Sequence, residues 1–534
     1  MKVSSRVDSL LGSMSLEEKV GQIFIFTFVS LKQAELDMKY HPGGYVRIYS
    51  DALTVARESR ALQARAKLPL IISADFERGI GSTIYGAIDL AGNMCIGAAG
   101  NEDLAFATGR AIAEEARAMG VNMNYVPVVD VNVNENNPII NIRAFGGDAA
   151  DVARIGVALI KGTQAGGVLA CAKHFPGHGD THVDSHTEGG VIDVNRQRLE
   201  EVELLPFRAA IAGGVDSIMS AHLQIPAIDP EPLPATLSYK VMTGLLRDEM
   251  GFQGVAVSDA LEMGAVTRNF PPEIAIVKAL NAGCDQLIMP RDNRRAVEIL
   301  ADAVRRGEVP ESRLDEAVAR ILTMKENRGL FEDKADDLTN LASRLNTAEH
   351  FEVALNTALA GVTLVRNESN VLPLAGNAKA AVVAFSNYQD ARSYYAEAKT
   401  IGAHLSDFVD VTRFVDCGRL DEHAVHEFGA RESAMEAASR SDLVVIAAFN
   451  KVMIAKGTAA LEDRFVKFVK EIQAVGKPVV LISFGSPYII KQMPDVNAFV
   501  CAYGGSEATQ QATARLIAGK APFRGKLPVS VTLS

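Results

Sequence analysis

Cysteine is scarce and scattered in this 534-residue chain: Cys95, Cys171, Cys284, Cys417 and Cys501 form no C-x-x-C pair, and their odd number argues against a disulfide framework. A reducing compartment is expected. No stretch of 18 uninterrupted apolar residues occurs, which removes a helical membrane span. The N-terminus shows no apolar core followed by a cleavage site, so a cytoplasmic protein without a leader is the expectation. Positive charge is in deficit as well: 54 Lys and Arg face 65 Asp and Glu, for a net charge of −11. Polyanions need a basic surface, so neither nucleic acid nor an anionic membrane is expected as a general partner. Low-complexity tracts and short repeats are also missing. With 48% hydrophobic and 22% charged residues, the chain can bury a large core and is neither fibrous nor disordered.

What the chain does contain is a regular beat. Ser15 followed by Glu18 forms a capping box ahead of Val20, Ile23 and Phe24, which predicts the first helix. Short apolar runs then recur at 23–28, 44–49, 70–74, 121–131, 168–174, 217–222, 254–259 and 285–289. Helical patterns at 102–119, 150–166, 198–213 and 239–250 separate several of them. Parallel strands need crossover helices, so eight such runs predict an N-terminal (β/α)8 TIM-type barrel over residues 1–335. Near Asn327 the pattern changes. Arg328-Gly329-Leu330 closes a helix, the charged stretch from Glu332 to Asp337 follows, and residues 336–355 read as a helical linker. Further runs at 361–365, 380–385, 443–449, 478–484, 498–503 and 527–531 predict a smaller αβα sandwich with a mainly parallel sheet over residues 356–534.

In such a barrel the chemistry sits at the carboxyl ends of the strands. Polar residues gather there, at Asp75 and Glu77, from Asn122 to Asn137, from Lys173 to His186, and at His222 and Asp259. Four of the ten histidines, His174, His178, His182 and His186, repeat every fourth residue. On one helix that spacing would suit zinc, but Pro176, Gly177 and Gly179 forbid the helix, so the segment is a strand end and a glycine-hinged loop. Asp184-Ser185-His186 sets a carboxylate beside an imidazole; a carboxylate on one ring nitrogen fixes the tautomer and frees the other for proton transfer. Asp259 ends an otherwise apolar strand, a pattern that suits a helix cap as well as catalysis.

Together, Lys173-His174-Phe175-Pro176-Gly177-His178-Gly179 and Asp184-Ser185-His186 resemble the signature of the β-N-acetylglucosaminidase branch of glycoside hydrolase family 3. The resemblance extends to residues 14–22 (MSLEEKVGQ), to Asn141-Ile142-Arg143-Ala144-Phe145-Gly146, to Ala221-His222, and to residues 258–265. Leu364-Val365-Arg366-Asn367 and Val371-Leu372-Pro373-Leu374 resemble the opening of the family's second domain, so the likeness spans the chain.

The resemblance implies a retaining, exo-acting glycosidase, without metal or cofactor, that releases terminal β-linked N-acetylglucosamine from an oligosaccharide or glycoconjugate. Asp259 would be the nucleophile forming a glycosyl ester, His186 the general acid/base and Asp184 its orienting partner. Asp75, Arg143, Lys173 and His174 would hold sugar hydroxyls, and His222 would support the site. The chain departs from the branch at Asp75-Phe76-Glu77-Arg78-Gly79-Ile80-Gly81 and around Tyr85-Gly86, where the branch usually carries D-Q-E-G-G-R-V and then F-P. An expected arginine is also missing near Thr83. These departures fall on the leaving-group side, so a muropeptide of peptidoglycan recycling, a chitooligosaccharide and other conjugates all stay open. With no tryptophan, Tyr or Phe must supply any stacking platform. A histidine repels phosphate less than a carboxylate does, which leaves phosphorolysis to a sugar 1-phosphate as an alternative. A β-glucosidase or β-xylosidase of the same family is the next alternative. A metal-dependent barrel hydrolase and a non-catalytic sugar-binding protein are the rivals from other classes.

Overall fold

The computed structural model describes residues 3–332, 338–387, 398–420, 429–452 and 458–532. Part of the charged stretch, residues 333–337, therefore lies outside the described residues. Contacts divide the chain into two units: the first comprises 1–88, 105–131 and 152–347, and the second comprises 89–104, 132–151 and 348–534.

The first unit opens with the capping box. Ser15 Oγ accepts from Glu18 N at 3.2 Å while Glu18 Oε2 accepts from Ser15 N at 2.9 Å, starting the helix Leu16–Ile23. Eight parallel strands follow: β1 (Phe24–Thr27), β2 (Gly44–Val46), β3 (Ile71–Ala74), β4 (Met123–Asn124), β5 (Leu169–Phe175), β6 (Ser217–Ser220), β7 (Val255–Val257) and β8 (Leu287–Ile288). Each of the eight apolar runs supplies one strand. Their spatial order is β7-β6-β5-β4-β3-β2-β1-β8. A parallel bridge from Val257 to Gln286 joins the two ends, so the sheet closes as the (β/α)8 barrel. Its strands are buried along nearly their whole length, which explains continuous apolar runs rather than alternation.

At the amino end of the barrel, Asp285 is gripped by Arg247 (2.5 Å), Arg313 (3.0 Å) and Arg320 (3.2 Å) and also accepts from Ala256 N at 2.9 Å. Lys325, fully buried on the helix Glu311–Asn327, donates to Gln22 Oε1 at 2.8 Å.

The second unit holds a six-stranded sheet: β9 (Thr363–Asn367), β10 (Lys379–Ser386), β11 (Asp410–Asp416), β12 (Leu443–Phe449), β13 (Val479–Ser483) and β14 (Ala498–Cys501). The order is β9-β14-β13-β12-β10-β11, and every pairing is parallel except β9 with β14. Alternate residues feed two cores on opposite faces: Val383, Ile446 and Leu481 pack with Phe465 and Phe468, whereas Val382, Val445 and Val480 pack with Leu405 and Leu516. This is the αβα sandwich. Two corrections arise. Residues 527–531 form no strand; Val529 packs into the core without pairing. The sixth strand is β11, a charged and largely exposed edge that lacks an apolar run to announce it.

Candidate active site

All but one of the expected site residues lie in the first unit, at the carboxyl ends of its strands. Arg143 is the exception: it closes the short 3-10 turn Asn141–Arg143, which belongs to the second unit. There its guanidinium donates to the Ile139 carbonyl at 3.1 Å.

Asp259 emerges just past β7. Ser258 fixes the strand end, donating from N to Gln286 O (2.8 Å) and accepting from Ile288 N on Oγ (3.1 Å). Asp259 Oδ1 accepts from Ala260 N at 2.8 Å. Burial raises this carboxyl, but the imidazoles of His222, His174 and His186 and the Ala260 N–H outweigh it, holding the group below the ordinary aspartate range. An ionised carboxylate with so few hydrogen bonds keeps lone pairs for chemistry.

His222, buried after β6, underlies that turn. Its Nε2 faces the Ala260 carbonyl at 3.0 Å and so carries the proton, which leaves Nδ1 facing the Thr236 hydroxyl at 2.8 Å. Burial lowers its pKa, opposed by the Asp259 charge and the Ala260 carbonyl. Support of the site fits this geometry.

β5 delivers Lys173 and His174. Lys173 Nζ, nearly buried, lies 2.6 Å from Asp75 Oδ1 and 2.8 Å from Glu77 Oε1, both just beyond β3. Asp75 is half exposed at the mouth. His174 Nδ1 donates to Asp130 Oδ2 at 2.7 Å, and the backbone N–H groups of His174 and His178 donate to Asp130 Oδ1 at 3.2 and 2.7 Å. Burial raises the Asp130 carboxyl, but the charge of His174 and these bonds bring it below the ordinary value. One carboxylate thus organises the root of the histidine loop. Sequence reasoning gave Asp130 no role, although it ends an apolar run as Asp259 does.

Beyond that root the histidines separate into different tasks. His178 is buried between Thr181 Oγ1 (2.9 Å) and Ser185 Oγ (3.0 Å), which braces the loop. His182 is exposed. His186, with 32% of its side chain exposed, donates through Nδ1 to Asp184 Oδ1 at 2.8 Å, and the same oxygen accepts from the His186 backbone N–H at 2.9 Å. Asp184 is buried, so the imidazole is oriented through Nδ1 while Nε2 is left for proton transfer. The loop docks through Gly264 N on His186 O (3.1 Å) and Ala265 N on Ser185 O (3.3 Å).

Two of the loop glycines are required by close packing. A Cβ on Gly179 would stand 1.8 Å from Val131 O, and one on Gly177, at φ +129°, would meet Glu203 Cβ at 2.9 Å. Both glycines serve close packing at the loop root.

Residues 13–324 match the Glycosyl hydrolase family 3 N terminal domain, and residues 362–534 match the family's C-terminal domain. The chain is similar to a beta-N-acetylglucosaminidase/beta-glucosidase of Cellulomonas fimi, 31% identical over 98% of this chain and 95% of the relative. A family 3 beta-N-acetylglucosaminidase structure from Paenibacillus sp. str. FPU-7 is similar with a TM-score of 0.88 and 32% identity, covering 98% of this chain and all of that one. The structure of beta-glucoside phosphorylase BglX is similar with a TM-score of 0.86 and 28% identity, covering 98% of this chain and 95% of its own.

Proposed function

The chain belongs to glycosyl hydrolase family 3 and is a glycoside hydrolase; from that premise we propose that it is a retaining, exo-acting β-N-acetylglucosaminidase. Asp259 is the nucleophile, His186 the acid/base and Asp184 its orienting partner. Asp75, Arg143, Lys173 and His174 are the groups proposed to bind sugar hydroxyls.

The observation that carries the reading is the pairing of two differently prepared groups in one barrel. Asp259 is held ionised with few bonds, and His186 is fixed through one nitrogen only. In the first half-reaction an Asp259 oxygen attacks the anomeric carbon. The bond to the leaving oxygen breaks as His186 Nε2–H protonates it. In the second half-reaction the neutral imidazole takes a proton from water, water attacks the same carbon, and Asp259 leaves as a carboxylate. Two inversions give net retention. Lys173, pinned between Asp75 and Glu77, and His174, pinned by Asp130, offer ordered donors and acceptors to a hydroxylated ring.

Phosphorolysis is a second reading, supported by the imidazole acid/base and the likeness to a β-glucoside phosphorylase. Phosphate would take the place of water and leave the sugar as its 1-phosphate. A 2-deoxy-2-fluoro glycoside analysed by peptide mass spectrometry tests the shared first step: an adduct on Asp259 supports it, and an adduct on another side chain or an inverted product rejects it. Repeating turnover with inorganic phosphate separates the readings, since free N-acetylglucosamine alone at high phosphate excludes phosphorolysis.

A further inference from the structure

Beyond the groups assigned to the bound sugar, the same mouth displays aromatic surface. After β2 the chain runs through Ile48 and Tyr49 into a two-residue strand, Ser50–Asp51, which pairs in parallel with Ile84–Tyr85 in the loop after β3. In that ribbon Asp51 stands opposite Tyr85. Tyr85 is 63% exposed and Tyr49 is 49% exposed, and Ile48 is exposed beside them. The loop that presents Tyr85 begins at Asp75, the half-exposed carboxylate bound to Lys173. The aromatic surface is thus continuous along the chain with the proposed sugar-gripping groups and belongs to the catalytic end of the barrel.

We infer that Tyr49 and Tyr85 form the leaving-group subsite and bind one occupant, the neutral pyranose ring joined to the scissile bond. This rests on the glycosidase reading above and names the aglycone it left open. A pyranose offers a face of C–H groups that packs on the ring of a tyrosine, and two tyrosines replace the absent tryptophan as the platform. The charges around the rings select among sugars. Asp51, opposite Tyr85, caps the helix Ala52–Gln63 by accepting from Thr54 N at 2.9 Å, and Asp75 and Glu77 at the start of the same loop share the single Lys173 ammonium, so the segments that carry the tyrosines keep a net negative charge. An acidic aglycone would meet repulsion there, whereas a second N-acetylglucosamine would not.

The test compares wild type with Y85A, Y49A and Y85F on three substrates: β-N-acetylglucosaminyl fluoride, which carries no aglycone ring; N,N′-diacetylchitobiose, whose aglycone is neutral; and GlcNAc-β-1,4-MurNAc, whose aglycone is acidic. In Y85A and Y49A, kcat/KM on chitobiose should fall about tenfold, chiefly through KM, and fall much less on the fluoride. Y85F keeps the ring and should keep chitobiose turnover near wild type. Wild type should prefer chitobiose to the acidic disaccharide. Equal losses on fluoride and chitobiose, a preference for the acidic disaccharide, or turnover of the fluoride alone would each overturn this inference and leave the proposed function standing. A wild-type enzyme inert on all three would overturn that function too.

Discussion

Asp259 and Asp285 occupy opposite ends of one barrel and show what separates the proposed nucleophile from a structural carboxylate. At the amino end, Asp285 is saturated by three guanidinium groups and a backbone N–H, and none of its side chain is exposed. At the carboxyl end, Asp259 accepts one neighbouring N–H and feels three imidazoles through space. Both are held below the ordinary aspartate range by neighbours that outweigh the effect of burial. Ionisation is common to both; unused lone pairs distinguish Asp259.

That contrast predicts opposite outcomes for one substitution. D259N should cost about 10⁴-fold in kcat while leaving the thermal midpoint near wild type. D285N should do the reverse, removing about 3 kcal/mol of stability by leaving three partly buried arginines short of a counter-charge while kcat per folded molecule survives. Urea titrations beside active-site-titrated rates would measure both, and a stability loss in D259N that matched the one in D285N would erase the distinction. Acid should act on the same carboxylate. Because the folded Asp285 pKa lies below the unfolded value of about 3.9, its contribution is complete above that pH and is lost as pH falls through the folded value.

Among the proposed catalytic groups, H186A should slow substrates with poor leaving groups by about 10²-fold and activated aryl glycosides much less, since only the former need protonation. Equal losses across an aryl series would remove His186 from the acid role. The smallest effect belongs to the amino end. Burial pushes Lys325 down to about 7. An unfolded lysine titrates at about 10.4, so between these values the unfolded chain holds the extra proton and stability should rise with pH. The urea midpoint should increase from pH 7 to pH 9, and K325M should flatten that rise. An unchanged slope in the variant would assign it to other groups.

The same contrast explains what could be read from residues alone. Asp184 and His186 are neighbours in sequence and Asp259 interrupts an apolar strand, so short-range pattern sufficed to single them out. Asp130 interrupts an apolar run in the same way, but its partners His174 and His178 are 44 and 48 residues away, a relation that the side-by-side pairing of β4 and β5 creates. Arg143 shows the converse: the motif around it is legible, whereas its membership of the second unit depends on tertiary contacts. The edge strand β11 escaped because charged residues protect it, and residues 527–531 misled because apolar side chains can fill a core without joining a ladder.

The fit of Gly179 against Val131 O, with Asp130 beside it, has a consequence for engineering. The root of the histidine loop behaves as a socket: it fixes where the segment enters the barrel, while Gly264 receives its far side. A library confined to residues 186–189 would leave the Gly179 root and the Ser185 brace on His178 in place and vary the proposed proton-transfer group without redesigning the barrel beneath it.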